Sequence, residues 1–369
     1  PMTDSLRICV LANARSAHTR RWVRAYAERG HSVHLLSIRH ATIPGVDVQT
    51  VAVGHVNATG MVTSFLSYLR LAISARRRLS RIEPDVVHAH YSITHGVIAA
   101  ISGFKPVVLS VWGTDLAVAG PSPLGWIATL LNRFAIRRAS RVTSTSEYML
   151  PAVERLAGRP VAAVQIPFGV DVTQFRPRSG PRSEDYLVIG FMKHLKRKYG
   201  PQDLLEAVAL LAPDYPDIRL VLGGDGELRA SLTARARELA IDSRVGFLGR
   251  VAQADVAAAM REFDVLVNPT VVAESFGVVV LEASATGIPV VATDVGGVPE
   301  VALEGVNALL VPPGSPTKLA TAIARLADDP ALRARLGVAG RRFVEEEYDW
   351  TDNVNAMLDV LRSCVKEGP

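Results

Sequence analysis

One rhythm constrains this chain more than anything else, and it runs twice. Short apolar runs alternate with stretches of helical periodicity, stop at a polar segment rich in proline and glycine, and then resume. Neighbouring parallel strands need a crossover, and a helix in each crossover buries the sheet on both faces, so such strands read as continuous apolar runs. In the first half the spacing predicts strands at Leu6–Leu11, Ser32–Ser37, Val86–Ala89, Val107–Val111 and Arg141–Ser144. Helices are predicted at Thr19–Arg29, Thr63–Arg81 and Leu124–Ala139. In the second half, strands are predicted at Leu187–Phe191, Arg219–Gly223, Val245–Leu248, Val265–Asn268 and Pro289–Ala292. Helices fall between them at Pro201–Leu211, Glu227–Ala240, Gln253–Glu262 and Gly277–Thr286.

The break is Arg176-Pro177-Arg178-Ser179-Gly180-Pro181-Arg182-Ser183, which has the composition of a linker. The expected organisation is therefore α/β, with two Rossmann-like doubly wound domains facing each other across a cleft. The first covers 1–176 and the second 177–350, and a last helix at 351–365 joins the first domain. Ligands in such folds bind at the carboxyl ends of the strands.

Charge is divided between the halves. Residues 1–176 hold 20 Lys and Arg against 9 Asp and Glu, and residues 177–369 hold 21 against 27, which is +11 against −6. The first half is expected to face something anionic: a membrane surface, a phosphorylated lipid acceptor, or only solvent. Nucleic acid is not expected, because the aromatic interleaving and helix-turn-helix pattern are missing. Cys9 and Cys364 lie at opposite ends with no spaced framework, which suits two free thiols in a reducing cytoplasm. The apolar stretch from Leu116 to Asn132 is broken by Pro121 and Pro123, so it does not read as a membrane span. The location expected is the cytoplasm, with the inner face of the membrane as a peripheral site.

Chemistry concentrates after residue 273. Glu274-Ser275-Phe276-Gly277 follows a strand and opens a helix, whose first amides form an anion site. Glu282 lies about one and a half turns further in, among Val278, Val279, Val280, Leu281 and Ala283. A carboxylate in apolar surroundings is costly without a partner, which favours a ligand role over a solvated surface. Downstream, Gly296-Gly297 serves either a close backbone approach to a ligand or a plain tight turn.

These residues carry a resemblance. The E-x7-E spacing within ESFGVVVLEASATGIPVVATDVGGVPE resembles the donor-site signature of retaining GT-B glycosyltransferases, glycosyltransferase family 4 in particular. Val221-Leu222-Gly223-Gly224-Asp225-Gly226-Glu227 resembles that family's second-domain glycine loop, and Phe247-Leu248-Gly249-Arg250-Val251 its base-binding strand end. Ile166–Asp171 and Asn307–Gly314 resemble its segment leaving the first domain and its closing strand and loop.

The resemblance implies a nucleotide-sugar donor and a saccharide, lipid-linked or small-molecule acceptor. Glu274 would meet hydroxyls of the donor sugar. Ser275 lies in the same loop, and the amides of Phe276, Gly277 and Val278 would hold sugar and distal phosphate. Glu282 would take the ribose hydroxyls, and the main chain near Arg250 and Val251 would read the base.

The family's G-R-L-x3-K-G pattern is replaced here by Gly190-Phe191-Met192-Lys193-His194-Leu195-Lys196-Arg197-Lys198-Tyr199-Gly200, in which Lys193 and Lys198 are the candidate diphosphate cations. Departure of a diphosphate needs a metal or fixed donors, each worth roughly 3–4 kcal/mol. No Asp-x-Asp of the metal-binding type and no ligand-spaced His/Cys cluster occurs, so no metal and no cofactor are expected. The reaction implied retains the anomeric configuration by front-face attack within an ion pair.

In the first half, Arg15, His18 or Arg20 could meet an acceptor, and capping or surface roles fit them equally. Trp112-Gly113-Thr114-Asp115 resembles the family's H-G-x-D segment with Trp in place of His, which leaves Asp115 as a cleft candidate. His88, His90 and His95 surround another strand end, where structural roles weigh more. A 2-epimerase of the same fold and a noncatalytic nucleotide-sugar-binding module are the rivals. A nicotinamide oxidoreductase is disfavoured, since neither first strand leads into G-x-G-x-x-G.

Overall fold

The structure is a computed structural model that describes residues 5–51, 65–117, 123–180 and 186–368. Positions 63–64 of the second predicted helix and 181–183 of the polar segment lie outside the described residues. The chain divides into two compact units, Pro1–Pro167 with Asn353–Pro369, and Phe168–Asp352.

The first unit holds strands β1 (Arg7–Leu11), β2 (Ser32–Ser37), β3 (Asp47–Thr50), β4 (Val86–His90), β5 (Val107–Val111), β6 (Arg141–Ser144) and β7 (Ala163–Gln165). They form one parallel sheet in the order β3-β2-β1-β4-β5-β6-β7. The second unit holds β8 (Leu187–Met192), β9 (Ile218–Gly223), β10 (Val245–Gly249), β11 (Val265–Asn268), β12 (Val290–Thr293) and β13 (Ala308–Val311). Its order is β10-β9-β8-β11-β12-β13, again all parallel. In both sheets the strand order reverses beside the unit's first strand, the arrangement that leaves a ligand crevice at the carboxyl edge.

The inner strands are buried along most of their length, as at β4 and β5, which makes their apolar runs continuous. β3 and β7 lack that signal: one is a polar edge strand and the other three half-buried residues. Two long helices, Pro316–Asp328 and Pro330–Glu347, also escape the strand-led reading. Their signal was present: each has a proline in its first turn, and Asp329 caps the second by accepting from the Leu332 amide at 2.8 Å.

The passage into the second unit at Phe168 precedes the polar segment at 176–183. Residues 170–175 are held within that unit by Arg341, which donates to the carbonyls of Val172 and Ala285 at 3.0 and 2.6 Å. Val170 and Tyr348 add a backbone bond of 2.8 Å. The last helix, Trp350–Glu367, sends most of its length to the first unit, where Arg141 donates to both carboxylate oxygens of Glu367 at 2.8 and 3.0 Å. Among the described residues, no helix is long and apolar enough to cross a membrane.

Candidate active site

The carboxyl edge of the second sheet is built by backbones that approach unusually closely. Gly224 sits at φ +124°, where a Cβ would lie 2.0 Å from the Lys193 carbonyl oxygen. Gly226 would likewise bring a Cβ to 2.4 Å from the Leu195 oxygen. The loop after β9 can therefore lie against the loop after β8, and the Lys193 and Leu195 amides donate hydrogen bonds to the Gly223 and Asp225 carbonyls, which lock the two. Gly200 does the same against Pro269, while Val271 N and Thr270 Oγ1 donate to the Lys198 carbonyl at 2.9 and 3.0 Å.

The Gly296-Gly297 pair resolves in the same way. A Cβ at either position would collide with the backbone of Glu274 or Ser275, and Gly297 N donates to the Glu274 carbonyl at 2.7 Å. The pair brings backbone against backbone, beneath the loop that carries the signature.

This framework brings four of the expected side chains together. Lys193 Nζ donates to both oxygens of Glu274, at 2.6 and 2.5 Å, with side-chain exposures of 12% and 19%. Lys193 and Lys198 stand 5.1 and 4.8 Å from the Tyr199 ring centroid. Both ammonium groups are within cation–π range of the one ring, which stabilises each of them. Burial pulls the Lys193 ammonium below its ordinary pKa; Glu274 opposes that pull, Lys198 adds to it and Glu282 opposes it. Glu282 is thus within electrostatic reach of Lys193, on the half-buried side of the helix Val278–Ala285.

Gly277, at φ 104°, caps that helix without a side-chain bond. Phe276 is buried against Phe168 and Tyr348, with centroids 6.4 and 5.9 Å away, which fixes the helix start from behind. The amides of Phe276, Gly277 and Val278 find no acceptor among the described residues. The result is a donor array next to a cation–carboxylate pair, suited to an anion bonded to a hydroxylated group.

Arg250 is exposed and Val251 half-buried, just past β10. Tyr199 and Asn268 were not anticipated. Both side-chain amide atoms of Asn268 are buried at the end of β11 without a partner among the described residues. Such a group costs about 1–3 kcal/mol unless a ligand or water meets it.

The first unit's candidates are arranged differently. Asp115 is 5% exposed, and its carboxylate accepts from Ser92 N, Ser92 Oγ, Trp112 N and Gly113 N at 2.9–3.2 Å. Those contacts make it the anchor of its own turn, where the sequence suggested a cleft residue. Burial raises its pKa, and these donors oppose the rise. Arg15 is exposed and donates to the His40 carbonyl at 3.2 Å.

His88 lies wholly inside, between Tyr26 Oη at 3.1 Å and Ser110 Oγ at 2.7 Å. Burial pushes His88 down to about 3 and His95 to about 4, so both are neutral at pH 7. Among the described residues, no three His, Cys, Asp or Glu side chains gather to hold a metal ion.

Two parallel sheets of this order, one in each unit, are those of the GT-B fold. The fold is similar to that of sucrose-phosphate synthase from Thermosynechococcus elongatus (TM-score 0.82, 20% identity, covering 98% of this chain and 99% of that one). Residues 172–343 match the model of glycosyl transferases group 1, and residues 7–146 that of the glycosyl transferase 4-like family.

Among relatives, the D-inositol 3-phosphate glycosyltransferase of Saccharomonospora viridis is 31% identical over 76% of this chain and 70% of its own length. The N-acetyl-alpha-D-glucosaminyl L-malate synthase of Bacillus anthracis is 29% identical over 87% of this chain and 86% of its own. This chain belongs to the glycosyl transferases group 1 family, and it is a glycosyltransferase.

Proposed function

We propose that this enzyme moves a sugar from a nucleoside-diphosphate sugar to a saccharide, lipid-linked or small-molecule acceptor, with retention of configuration and without a metal ion. The observation that carries the reading is the meeting of Lys193, Lys198, Glu274 and the helix start at Gly277 on one sheet edge. Lys193, Lys198 and the free amides would take the diphosphate, Glu274 the sugar hydroxyls and Glu282 the ribose hydroxyls. The main chain near Arg250 and Val251 would read the base.

As the bond from the anomeric carbon to the distal phosphate oxygen breaks, negative charge grows on that oxygen. Fixed cations and amides stabilise it without reorganising. The acceptor oxygen then attacks from the same face and passes its proton to the departing diphosphate, so no enzymic nucleophile is needed. Relatives named for L-malate and D-inositol 3-phosphate support a small-molecule acceptor. Transfer is favoured over 2-epimerisation because these relatives are named for joining a sugar to a second compound. Two buried free thiols fit a cytoplasmic setting, where a lipid-linked acceptor would bring the enzyme to the inner membrane face.

A thermal-shift panel of nucleotide sugars, followed by turnover in excess EDTA, tests the reading. One nucleotide sugar should stabilise the protein, and turnover should persist under chelation. Loss of turnover that added Mg²⁺ or Mn²⁺ restores would contradict the metal-free site.

A further inference from the structure

The cation best placed for a phosphate is already engaged by a carboxylate. An ammonium has three N–H donors, and Lys193 Nζ gives bonds to both Glu274 oxygens, at 2.6 and 2.5 Å. A phosphate oxygen that takes a further donor of the same ammonium stands roughly 4–5 Å from those oxygens, by the tetrahedral spread of the donors. Both side chains are mostly buried, at 12% and 19% exposure, so water screens the encounter poorly.

The carboxylate does not retreat with its loop. Gly297 N donates to the Glu274 carbonyl at 2.7 Å, and a Cβ at Gly296 would stand 2.3 Å from the same oxygen. Backbone on backbone therefore clamps the main chain at 274, and only rotation of the side chain would carry its charge away. Rotation is opposed as well, because the Glu274 charge is the largest influence that keeps Lys193 protonated against burial.

Donor and product differ at this point. In a nucleoside-diphosphate sugar the distal phosphate is esterified, and sugar hydroxyls lie beyond it. Once the sugar has gone, that phosphate gains an ionisable oxygen with a pKa of about 6, so at pH 7.5 the product carries about one more negative charge. An ionised carboxylate accepts hydrogen bonds and donates none. Hydroxyls suit it, and an extra oxyanion does not.

We infer that Glu274 discriminates the intact donor from its own product: paired with Lys193, it accepts from the sugar hydroxyls and repels the terminal oxyanion left when the sugar departs. The discrimination presupposes the diphosphate reading of the site, in which Lys193, Lys198 and the amides at Gly277 attract donor and product alike. Glu274 is the group that separates the two, and it speeds product away from an edge rich in donors.

Calorimetry at pH 7.5 in EDTA tests this with three probes. They are the nucleotide sugar giving the largest thermal shift among UDP-glucose, UDP-N-acetylglucosamine, ADP-glucose and GDP-mannose, its nucleoside diphosphate, and the β-methyl ester of that diphosphate. The ester has the donor's charge and none of its sugar hydroxyls. Glu274→Gln keeps the shape of the side chain and removes the charge. Relative to the ester, the diphosphate then gains about tenfold in affinity and the nucleotide sugar loses about tenfold. Product inhibition in steady state strengthens with it, as a lower ratio of Ki to KM.

Glu274→Ala removes the same charge and gives the same gain for the diphosphate, so it serves if the Gln variant does not fold. A diphosphate that gains nothing over the ester in the folded variant overturns the inference, and so does an equal change for all three probes. Lys193→Ala weakens all three. If it left all three unchanged, the diphosphate reading itself would fail, and not the discrimination alone.

Discussion

The two sheets share a strand order but finish their carboxyl edges in opposite ways. In the first unit, side chains close the edge: His88, His90 and Asp115 are buried among Tyr26, Ser92, Ser110 and Trp112. In the second, glycines let backbone close on backbone at 200, 224, 226, 296 and 297, and the charged groups stay half-buried beside free amides. Topology decides where a ligand can bind, and loop composition decides whether the edge is core or site. The first edge is packed with neutral imidazoles, while the one framed by glycines keeps unbonded amides beside half-buried charged side chains.

The largest effect that sharpens this contrast is acid sensitivity. His88 and His95 have folded-state values near 3 and 4, below the ordinary 6.5. As pH falls below about 6.5, the unfolded chain takes up protons that the folded one refuses, so stability declines steadily toward pH 4. At about 1.4 kcal/mol per unit, each group can cost roughly 3 kcal/mol by then. Hydrogen exchange from pH 7 to 4 should show the first unit losing protection before the second. Equal protection of both units at pH 4 would break the contrast.

Next comes Lys193→Ala, which removes one fixed donor and should lower turnover about 10²- to 10³-fold with the fold intact. Steady-state kinetics within a few-fold of wild type would remove Lys193 from the site. Lys193 also has a depressed pKa, so activity should fall on the alkaline side below the ordinary lysine range.

Glycine substitutions then compare the edges directly. Gly224→Ala forces a Cβ to 2.0 Å from a backbone oxygen at positive φ, and should cost about 3 kcal/mol with weakened nucleotide binding. Gly96→Ala in the first unit meets the end of the Leu109 side chain at 2.8 Å, and should cost about 1–2 kcal/mol without touching nucleotide affinity. Denaturant unfolding reads both, and equal costs would show that close backbone approach is not what distinguishes the second edge.

An effect on nucleotide affinity alone is expected at Glu282→Ala. Losing hydrogen bonds to a charged group costs roughly 1.5–3 kcal/mol, a ten- to hundredfold loss of nucleotide affinity. Calorimetry with UDP and GDP checks it, and unchanged affinity would remove the ribose role.

What the sequence could reveal follows from the same contrast. Inner strands such as Val107–Val111 are legible because burial on both faces leaves an unbroken apolar run. β3 is not, because an edge strand keeps polar residues, and β7 is not, because it is only three half-buried residues long. At the site, the Glu274–Glu282 spacing is legible because one loop and one helix carry it. The meeting of Gly224 with Lys193, and of Gly297 with Glu274, is a tertiary fact with no local signature. Asp115 illustrates the converse: its segment resembled a cleft motif, yet Ser92, distant in sequence, supplies two of its donors.

The central claim is that the second unit binds a diphosphate through Lys193, Lys198 and the amides at Gly277. The most direct measurement is calorimetric titration in EDTA of the preferred nucleoside diphosphate and its monophosphate, on wild type and Lys193→Ala/Lys198→Ala. The account predicts that wild type prefers the diphosphate, and that the double variant loses that preference by about a hundredfold while keeping most of its affinity for the monophosphate. A double variant that still prefers the diphosphate as strongly as wild type would contradict it.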